Sequence, residues 1–228
     1  PNMKFRLAGG NAGVAAATDD AVSVGRKRLM QGRDPRGSCL SMRLVKGKSL
    51  MDENLKETFV SAQRLYEGKV INLRRDMVLL PNGNQASREV VEHPGAVAVV
   101  PVLPDGRVLM VRQFRHPVGE ILLEIPAGKL SPGENPDDCA LRELEEETGS
   151  LAGKLQSVAS IFTAPGFTDE VIHIYLASDL KKTAVNPDED EFLAVVAHEP
   201  QEIARMISSG DICDAKTIAG FYLLQEKQ

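Results

Sequence analysis

Residues 128–150 read GKLSPGENPDDCALRELEEETGS, and this stretch contains the clearest helix signals in the chain. Asn135 is a candidate N-cap, and Pro136 suits the first turn of a helix. Gly149 can end the helix because glycine readily adopts the left-handed conformation found after the last turn. The sequence therefore predicts a helix over residues 136–148.

The predicted helix is acidic on one face. At about 100° per residue, three carboxylates fall on the same side, those of Glu143, Glu146 and Glu147. The apolar stripe that would pack on a sheet consists of Leu141, Leu144 and Thr148, so we expect the acidic face to point away from the core. Carboxylates near a helix C-terminus are disfavoured by roughly 0.3–1 kcal/mol each. A bound Mg²⁺ or Mn²⁺ would compensate them, and a solvated acidic face is the alternative.

The composition is that of an ordinary globular protein. Hydrophobic residues make up 43% and charged residues 26% of the 228 residues, which excludes a disordered or fibrous chain. No apolar run approaches the roughly 18–20 residues that span a bilayer, so no membrane protein is expected. Three cysteines that are far apart in sequence form no CxxC pair, which favours a reducing cytoplasm.

Charge is divided unevenly along the chain. Residues 1–50 hold 10 of the 27 Lys and Arg but 3 of the 32 Asp and Glu, so this part has a net charge of +7 and residues 51–228 have −12. We expect 1–50 to be a disordered or non-native basic extension, with a leader resembling a transit peptide as one alternative. A basic arm for nucleic acid is a further alternative, disfavoured because the segment has a single aromatic residue.

The rest of the chain alternates strand and helix signals in an α+β pattern. Strands are predicted over residues 58–66, 69–80, 87–92, 96–103, 107–114, 121–125, 155–162, 171–177 and 192–197. Two further helices are predicted over 200–209 and 215–225. The apolar run 96–103 and the following strand 107–114 are expected to form a hairpin through the middle of a sheet.

The stretch from Gly128 to Gly149 closely resembles the Nudix box, GX5EX7REUXEEXGU with U aliphatic. Only the last position departs, because Ser150 stands where an aliphatic residue is expected. The resemblance implies a Nudix-type α/β/α sandwich with a mixed β-sheet, preceded by an N-terminal antiparallel β segment. Residues 57–92 would be that segment, and 93–228 the catalytic core.

The same resemblance implies a site for Mg²⁺ or Mn²⁺. The expected ligands are the carboxylates of Glu143, Glu146 and Glu147 and the backbone carbonyl of Ala127. Arg142 would orient the glutamates and act in catalysis together with Glu147.

Three local matches resemble the ADP-ribose pyrophosphatase branch: Pro165 sixteen residues after Gly149, residues 125–129 and residues 165–170. This branch implies hydrolysis of ADP-ribose to AMP and ribose 5-phosphate. Its catalytic base lies on an acidic loop before the last strand, which predicts Glu189 as the base and Glu191 as an alternative base or additional metal ligand. A solvated acidic turn is the competing interpretation of that loop.

Three residues outside the box are expected to bind substrate. By the resemblance, Glu170 would hydrogen-bond the terminal ribose, and Arg88 and Arg115 would contact phosphate or adenine-side groups, with Arg112 as a further candidate. Relatives in this branch are homodimers that exchange their N-terminal β segments, so Arg88 would serve the neighbour's site.

Other functions stay open at the level of sequence. Phosphate and metal contacts do not read the base or the sugar, so another nucleoside diphosphate sugar such as GDP-mannose is an alternative substrate. A non-catalytic sensor of ADP-ribose is an alternative from a different class, disfavoured by the intact glutamates. No GxGxxG or GxxxxGK[ST] phosphate-binding motif is present.

Overall fold

The structure, a computed structural model, describes residues 54–184 and 192–227. The basic extension predicted over 1–50 and the acidic loop with Glu189 and Glu191 lie outside the described residues. Within the described part of the chain, no helix combines the length and the apolar character needed to cross a membrane.

The N-terminal part forms a three-stranded antiparallel sheet. Its strands are β1 (Thr58–Glu67), β2 (Asn72–Leu79) and β3 (Gln85–Glu92), in the spatial order β1-β2-β3. The N-terminal antiparallel segment implied by the resemblance is confirmed. All ten residues of β1 are exposed, and β1 is an edge strand of this sheet.

The remaining predicted elements occur in the predicted order, and the structure adds three short strands that were not predicted. The strands are β4 (Ala96–Pro101), β5 (Val108–Arg115), β6 (Glu120–Glu124), β7 (Ala127–Lys129), β8 (Ser150–Leu151), β9 (Lys154–Phe162), β10 (Val171–Ser178), β11 (Lys181–Lys182) and β12 (Leu193–His198). The three additional strands are β7, β8 and β11. The helices are α1 (Pro136–Thr148), α2 (Pro200–Ser209) and α3 (Ala215–Gln225). All three predicted helices are confirmed over the predicted residues.

Two further sheets, of four and three strands, carry the core. One is mixed, with the order β7-β4-β10-β9, in which β4 and β10 run parallel; the other is antiparallel, with the order β12-β5-β6. The predicted β4–β5 hairpin is therefore wrong, because the two strands belong to different sheets. Both edges of β4 are already paired, so after the turn at residues 104–106 the chain crosses to the second sheet, and one bridge, Val102–Val108, joins the connection.

Strand β4 divides the core into two apolar clusters, and all six of its residues are buried. Val97 and Val99 face α1 and pack with Cys139, Ala140 and Leu144. The alternate β4 residues pack with the second sheet, α2 and α3 in a cluster that includes Met110, Ile125, Ile174, Ile203 and Phe221. This alternation places α1 on one side of the mixed sheet, as expected for an α+β sandwich.

Candidate active site

Helix α1 is fixed at both ends by the residues that the sequence indicated. The side chain of Asn135 accepts a hydrogen bond from the Asp137 amide at 2.9 Å. Gly149 has φ 61°, and its amide donates to the Glu145 carbonyl at 2.9 Å. These caps satisfy backbone groups that a helix end leaves open, so the register of the acidic face is set locally.

Two of the three carboxylates on the acidic face of α1 are buried, and the third, Glu146, is partly exposed. Glu143 and Glu147 are 8% and 2% exposed, so the expectation that this face turns away from the core is wrong. Leu141, placed in the packing stripe from the sequence, is instead 40% exposed. The helix is rotated so that the two glutamates face β7, where the Ala127 amide donates to Glu147 Oε2 at 3.1 Å.

A glycine makes room for one of these carboxylates. A Cβ placed on Gly128 would lie 1.8 Å from Cδ of Glu143, far inside van der Waals contact. Only a residue without a side chain therefore lets the Glu143 carboxylate lie against the backbone of β7. The Ala127 carbonyl belongs to the same short strand, so this contact brings the predicted backbone ligand and a predicted carboxylate ligand to one region.

Arg142 ties the acidic face together. Its Nε lies 3.0 Å from Glu134 Oε1, and its Nη1 lies 2.8 Å from Glu143 Oε1 and 2.9 Å from Glu146 Oε2. The hydrogen bond with Glu134 is the leading reason why the pKa of Arg142 is raised. Hydrogen bonds from Arg142 and from the Ser131 amide in turn lower the pKa of Glu134 to about 2. The guanidinium thus supplies positive charge and fixes the orientation of Glu143 and Glu146.

The oxygen atoms of the glutamates and of the Ala127 carbonyl suit a hard divalent cation, although they are not grouped as a ligand shell. Carboxylate and carbonyl oxygens are the ligands that Mg²⁺ and Mn²⁺ prefer. Across residues 54–184 and 192–227, no three His, Cys, Asp or Glu side chains are grouped closely enough to hold a metal. Arg142 holds two of the carboxylates, so they are oriented before any cation is bound.

A cleft of about 1190 Å³ opens beside α1. Gly128, Arg142 and Glu143 line one part of it, and residues of the β1–β2 turn, Gly68 and Lys69, line another. This volume slightly exceeds the roughly 300–1,000 Å³ of typical small-molecule sites, so the cleft has room for a nucleoside diphosphate. The cleft therefore joins the predicted metal face to a space for substrate.

Two predicted substrate-binding residues line this cleft, Arg115 and Glu170. Glu170 accepts a hydrogen bond from Thr163 Oγ1 at 2.7 Å and lies 3.4 Å from His93 Nδ1. The loop that carries Glu170 is fastened to β3, because the Val91 amide donates to the Phe167 carbonyl at 2.8 Å. Arg115 is held by a carboxylate, Glu124, in a bidentate pair.

The other predicted residues are not among the described residues that line this cleft. Arg88 lies on β3, is exposed and pairs with Glu57. Arg112 lies on β5 and is also exposed. The predicted roles of both arginines, and those of Glu189 and Glu191 beyond the described part, stay predictions.

Sequence reasoning missed two charged residues next to Arg115: Lys216, which lines this cleft, and Glu124, which Arg115 and Lys216 both contact. Glu124 is 1% exposed on β6, and the Lys216 ammonium contacts it from the start of α3. One signal was available: Glu124 is a carboxylate within the otherwise apolar run of residues 121–125. A buried carboxylate normally requires a charged partner, but its partner lies 92 residues away and has no sequence signature.

The chain is similar in sequence to a known protein family and to characterised relatives. The NUDIX domain family profile matches residues 92–221. An ADP-ribose pyrophosphatase of Bacillus subtilis is 43% identical over 178 residues, which cover 77% of this chain and 96% of the relative. A methanol dehydrogenase activator of Bacillus methanolicus is 41% identical over 177 residues, which cover 77% of this chain and 96% of that relative.

A solved structure has the same fold. The crystal structure of an ADP compounds hydrolase superposes with a TM-score of 0.67 at 23% identity, covering 75% of this chain and 93% of that one. The α+β sandwich, the capped acidic helix and the sequence matches agree with one another, and the chain belongs to the Nudix family.

Proposed function

We propose that this chain hydrolyses the diphosphate of ADP-ribose, giving AMP and ribose 5-phosphate, with Mg²⁺ or Mn²⁺ as its cofactor. The observation that carries the proposal is the pair of buried carboxylates on α1, Glu143 and Glu147, which face β7, with Glu143 also lining a cleft large enough for a nucleotide. The relative that is 43% identical over 178 residues and named ADP-ribose pyrophosphatase supports the substrate.

Nudix hydrolases depend on divalent metal ions. In this chain the ion would be held by oxygen atoms of Ala127, Glu143, Glu146 and Glu147, with Glu191 as a further ligand. When bound, a divalent cation neutralises the charge on a diphosphate and lowers the pKa of a water molecule that attacks it.

The remaining chemistry is assigned to side chains of this chain. Arg142 keeps Glu143 and Glu146 oriented, and Arg115 offers guanidinium donors to the diphosphate. Glu170 accepts a hydrogen bond from a ribose hydroxyl. Glu189 removes a proton from the attacking water as the general base, with Glu191 as the alternative.

The N-terminal sheet is proposed to form a homodimer. Strand β1 exposes large apolar side chains along its length: Phe59, Val60, Leu65 and Tyr66. An exposed edge strand with apolar side chains is a surface that proteins normally cover. In the dimer, Arg88 would reach the active site of the neighbouring subunit.

Two alternative functions can be tested in the same experiments as ADP-ribose hydrolysis. GDP-mannose is the alternative substrate, because contacts to phosphate and metal do not distinguish adenine from guanine. A non-catalytic sensor that binds ADP-ribose to regulate a partner is the second alternative, and the relative named methanol dehydrogenase activator favours a regulatory role.

A substrate panel separates these functions. Purified chain is incubated with millimolar Mg²⁺ and either ADP-ribose, GDP-mannose or a dinucleotide, and released AMP or GMP is quantified by chromatography. The proposal expects the highest kcat/KM for ADP-ribose, and it expects chelation by EDTA to abolish turnover. A preference for GDP-mannose would replace the substrate, and tight binding of ADP-ribose without turnover would favour the regulator.

A further inference from the structure

Glu124 is a buried carboxylate that contacts two cations. Arg115 donates from Nε to Oε1 at 2.8 Å and from Nη2 to Oε2 at 2.7 Å, and the Lys216 ammonium contacts Oε2 as well. The side chains of Arg115 and Lys216 are 38% and 11% exposed. Both residues line the cleft, and Lys216 is the more deeply buried of the two.

Lys216 fastens this carboxylate to the start of helix α3. Its Nζ lies 3.1 Å from Oδ1 of Asp214, which is the N-cap of α3. Oδ2 of Asp214 accepts from the Thr217 amide at 2.9 Å, and the Ile125 amide donates to Thr217 Oγ1 at 3.0 Å. The residue that follows Glu124 in sequence is thus held by the same turn of α3 that carries Lys216.

The bidentate pair determines which donors of Arg115 remain for a ligand. A guanidinium is a planar fork with five N–H donors, and Glu124 engages Nε and one hydrogen of Nη2. The two Nη1 donors lie outside this pair. Because the fork is planar, any movement of the Glu124 carboxylate moves the direction in which Nη1 points.

We infer that Lys216 is a positioning residue: it holds the Glu124 carboxylate so that Arg115 presents Nη1 to the substrate diphosphate. Lys216 also lines the cleft, but its ammonium is held by the carboxylates of Glu124 and Asp214, so we assign its effect on the substrate to Arg115. This inference rests on the proposed function, in which Arg115 binds the diphosphate. It assigns a role at the cleft to a lysine on the C-terminal helix, 101 positions after Arg115 in the numbering.

A double-mutant cycle tests whether Lys216 acts through Arg115. The variants are Lys216→Met, Arg115→Lys and the combination, with KM and kcat measured for ADP-ribose and its Kd measured by calorimetry. Each single change is expected to raise KM and Kd by about tenfold, the effect of losing one well-placed charged hydrogen bond. The combination should be no worse than Arg115→Lys alone, because both changes remove the same contact.

Lys154→Met is the matched control. Lys154 is also paired with a carboxylate, Asp179, but its side chain is 76% exposed on β9 and it is not among the described residues that line the cleft. This variant should keep the KM and kcat of the unaltered chain. An equal rise in KM for Lys154→Met would overturn the inference, since loss of any paired lysine would then suffice.

A second variant separates positioning from simple stabilisation of the fold. Lys216→Met leaves the buried Glu124 with one cation and is expected to lower the melting temperature. Glu124→Gln combined with Lys216→Met removes both charges, so much of the lost stability should return. KM should nevertheless stay raised, because the side-chain amide that replaces the carboxylate offers Arg115 one acceptor oxygen instead of two. Recovery of both stability and KM would show a structural role and overturn the inference.

The two proposals fail in different ways. If the unaltered chain neither binds nor hydrolyses ADP-ribose, the proposed function and the inference both fall. If it hydrolyses ADP-ribose but the effects of Lys216→Met and Arg115→Lys multiply to about 100-fold in the combination, the function stands and the positioning role is wrong.

Discussion

Gly128 lies directly against the carboxylate of Glu143: a Cβ on this glycine would meet Cδ at 1.8 Å and the nearer carboxylate oxygen at 1.9 Å. The contact joins β7 to the acidic face of α1 and leaves no space for any side chain at position 128. It explains why a glycine occupies this position although its backbone does not need a left-handed conformation.

Replacement of this glycine tests the contact. Gly128→Ala should displace the Glu143 carboxylate and lower kcat/KM for ADP-ribose by about 10²-fold, as expected when a group at a reacting centre moves by about 1 Å. Gly106→Ala is the control, since Gly106 has φ 89° in an open turn with nothing within 4 Å. The control should lose roughly 1 kcal/mol of unfolding free energy through backbone strain and keep its kcat/KM. Equal kcat/KM for Gly128→Ala and the unaltered chain would refute the contact.

Glu147→Gln removes one charge from the buried acidic face without changing its shape. We expect kcat to fall by roughly 10²–10³-fold, the effect of losing one group that stabilises charge in a transition state. Calorimetry should also show weaker Mg²⁺ binding in the absence of nucleotide. Glu145→Gln is the matched control on the same helix, because Glu145 is partly exposed and is not one of the predicted ligands. Similar losses in both variants would mean that overall acidity, rather than Glu147, is what matters.

The Arg142–Glu134 pair predicts how stability depends on pH in acid. Because the pKa of Glu134 is lowered to about 2 in the folded chain, the unfolded chain takes up this proton first as pH falls. The stabilisation is complete above the ordinary glutamate pKa of about 4.3 and is lost as pH drops towards 2. Urea unfolding between pH 5 and 2 should therefore show a shallower loss of stability for Glu134→Gln than for the unaltered chain. An equal loss of stability with falling pH in both proteins would contradict a stabilising role for the Arg142–Glu134 pair.

Local chemistry explains why helix α1 could be predicted from the sequence. Asn135 and Gly149 act on their own backbone within a few residues, so the helix ends need no information from the rest of the fold. The helical spacing of about 100° per residue correctly placed Glu143 and Glu147 on the same face of the helix. This spacing could not give their burial, because burial depends on where β7 lies. Leu141 was wrongly placed in the core because the spacing does not say which side of the helix packs on the sheet.

Contacts between residues far apart in sequence explain which features were not predicted correctly. The expected β4–β5 hairpin assumed that neighbouring strands pair, but β10 takes the edge of β4, with Ile174 opposite Ala98. The Glu124–Lys216 contact spans 92 residues, and neither residue belongs to a motif. Such pairs follow from the packing of α3 on the sheets, where Gly220 approaches Ile125 so closely that a Cβ would lie 2.9 Å from its Cδ1.

The exposed apolar side of the N-terminal sheet predicts a dimer that one charge can dissociate. Phe59 is 61% exposed on the edge strand β1, so Phe59→Asp should bury an unpaired carboxylate in the proposed interface. Sedimentation velocity is expected to show a dimer for the unaltered chain and a monomer for the variant at the same concentration. If Arg88 acts in the neighbouring subunit's site, kcat/KM for ADP-ribose should fall together with dimerisation.

A second phenylalanine provides the control for this experiment. Phe162 is 64% exposed at the end of β9 in the mixed sheet, so Phe162→Asp makes the same chemical change on a different surface. It should leave both the sedimentation coefficient and kcat/KM unchanged. A monomer produced by Phe162→Asp, with Phe59→Asp still dimeric, would move the interface from the N-terminal sheet to the mixed sheet, and Arg88 would then have no route to a partner's active site through β1.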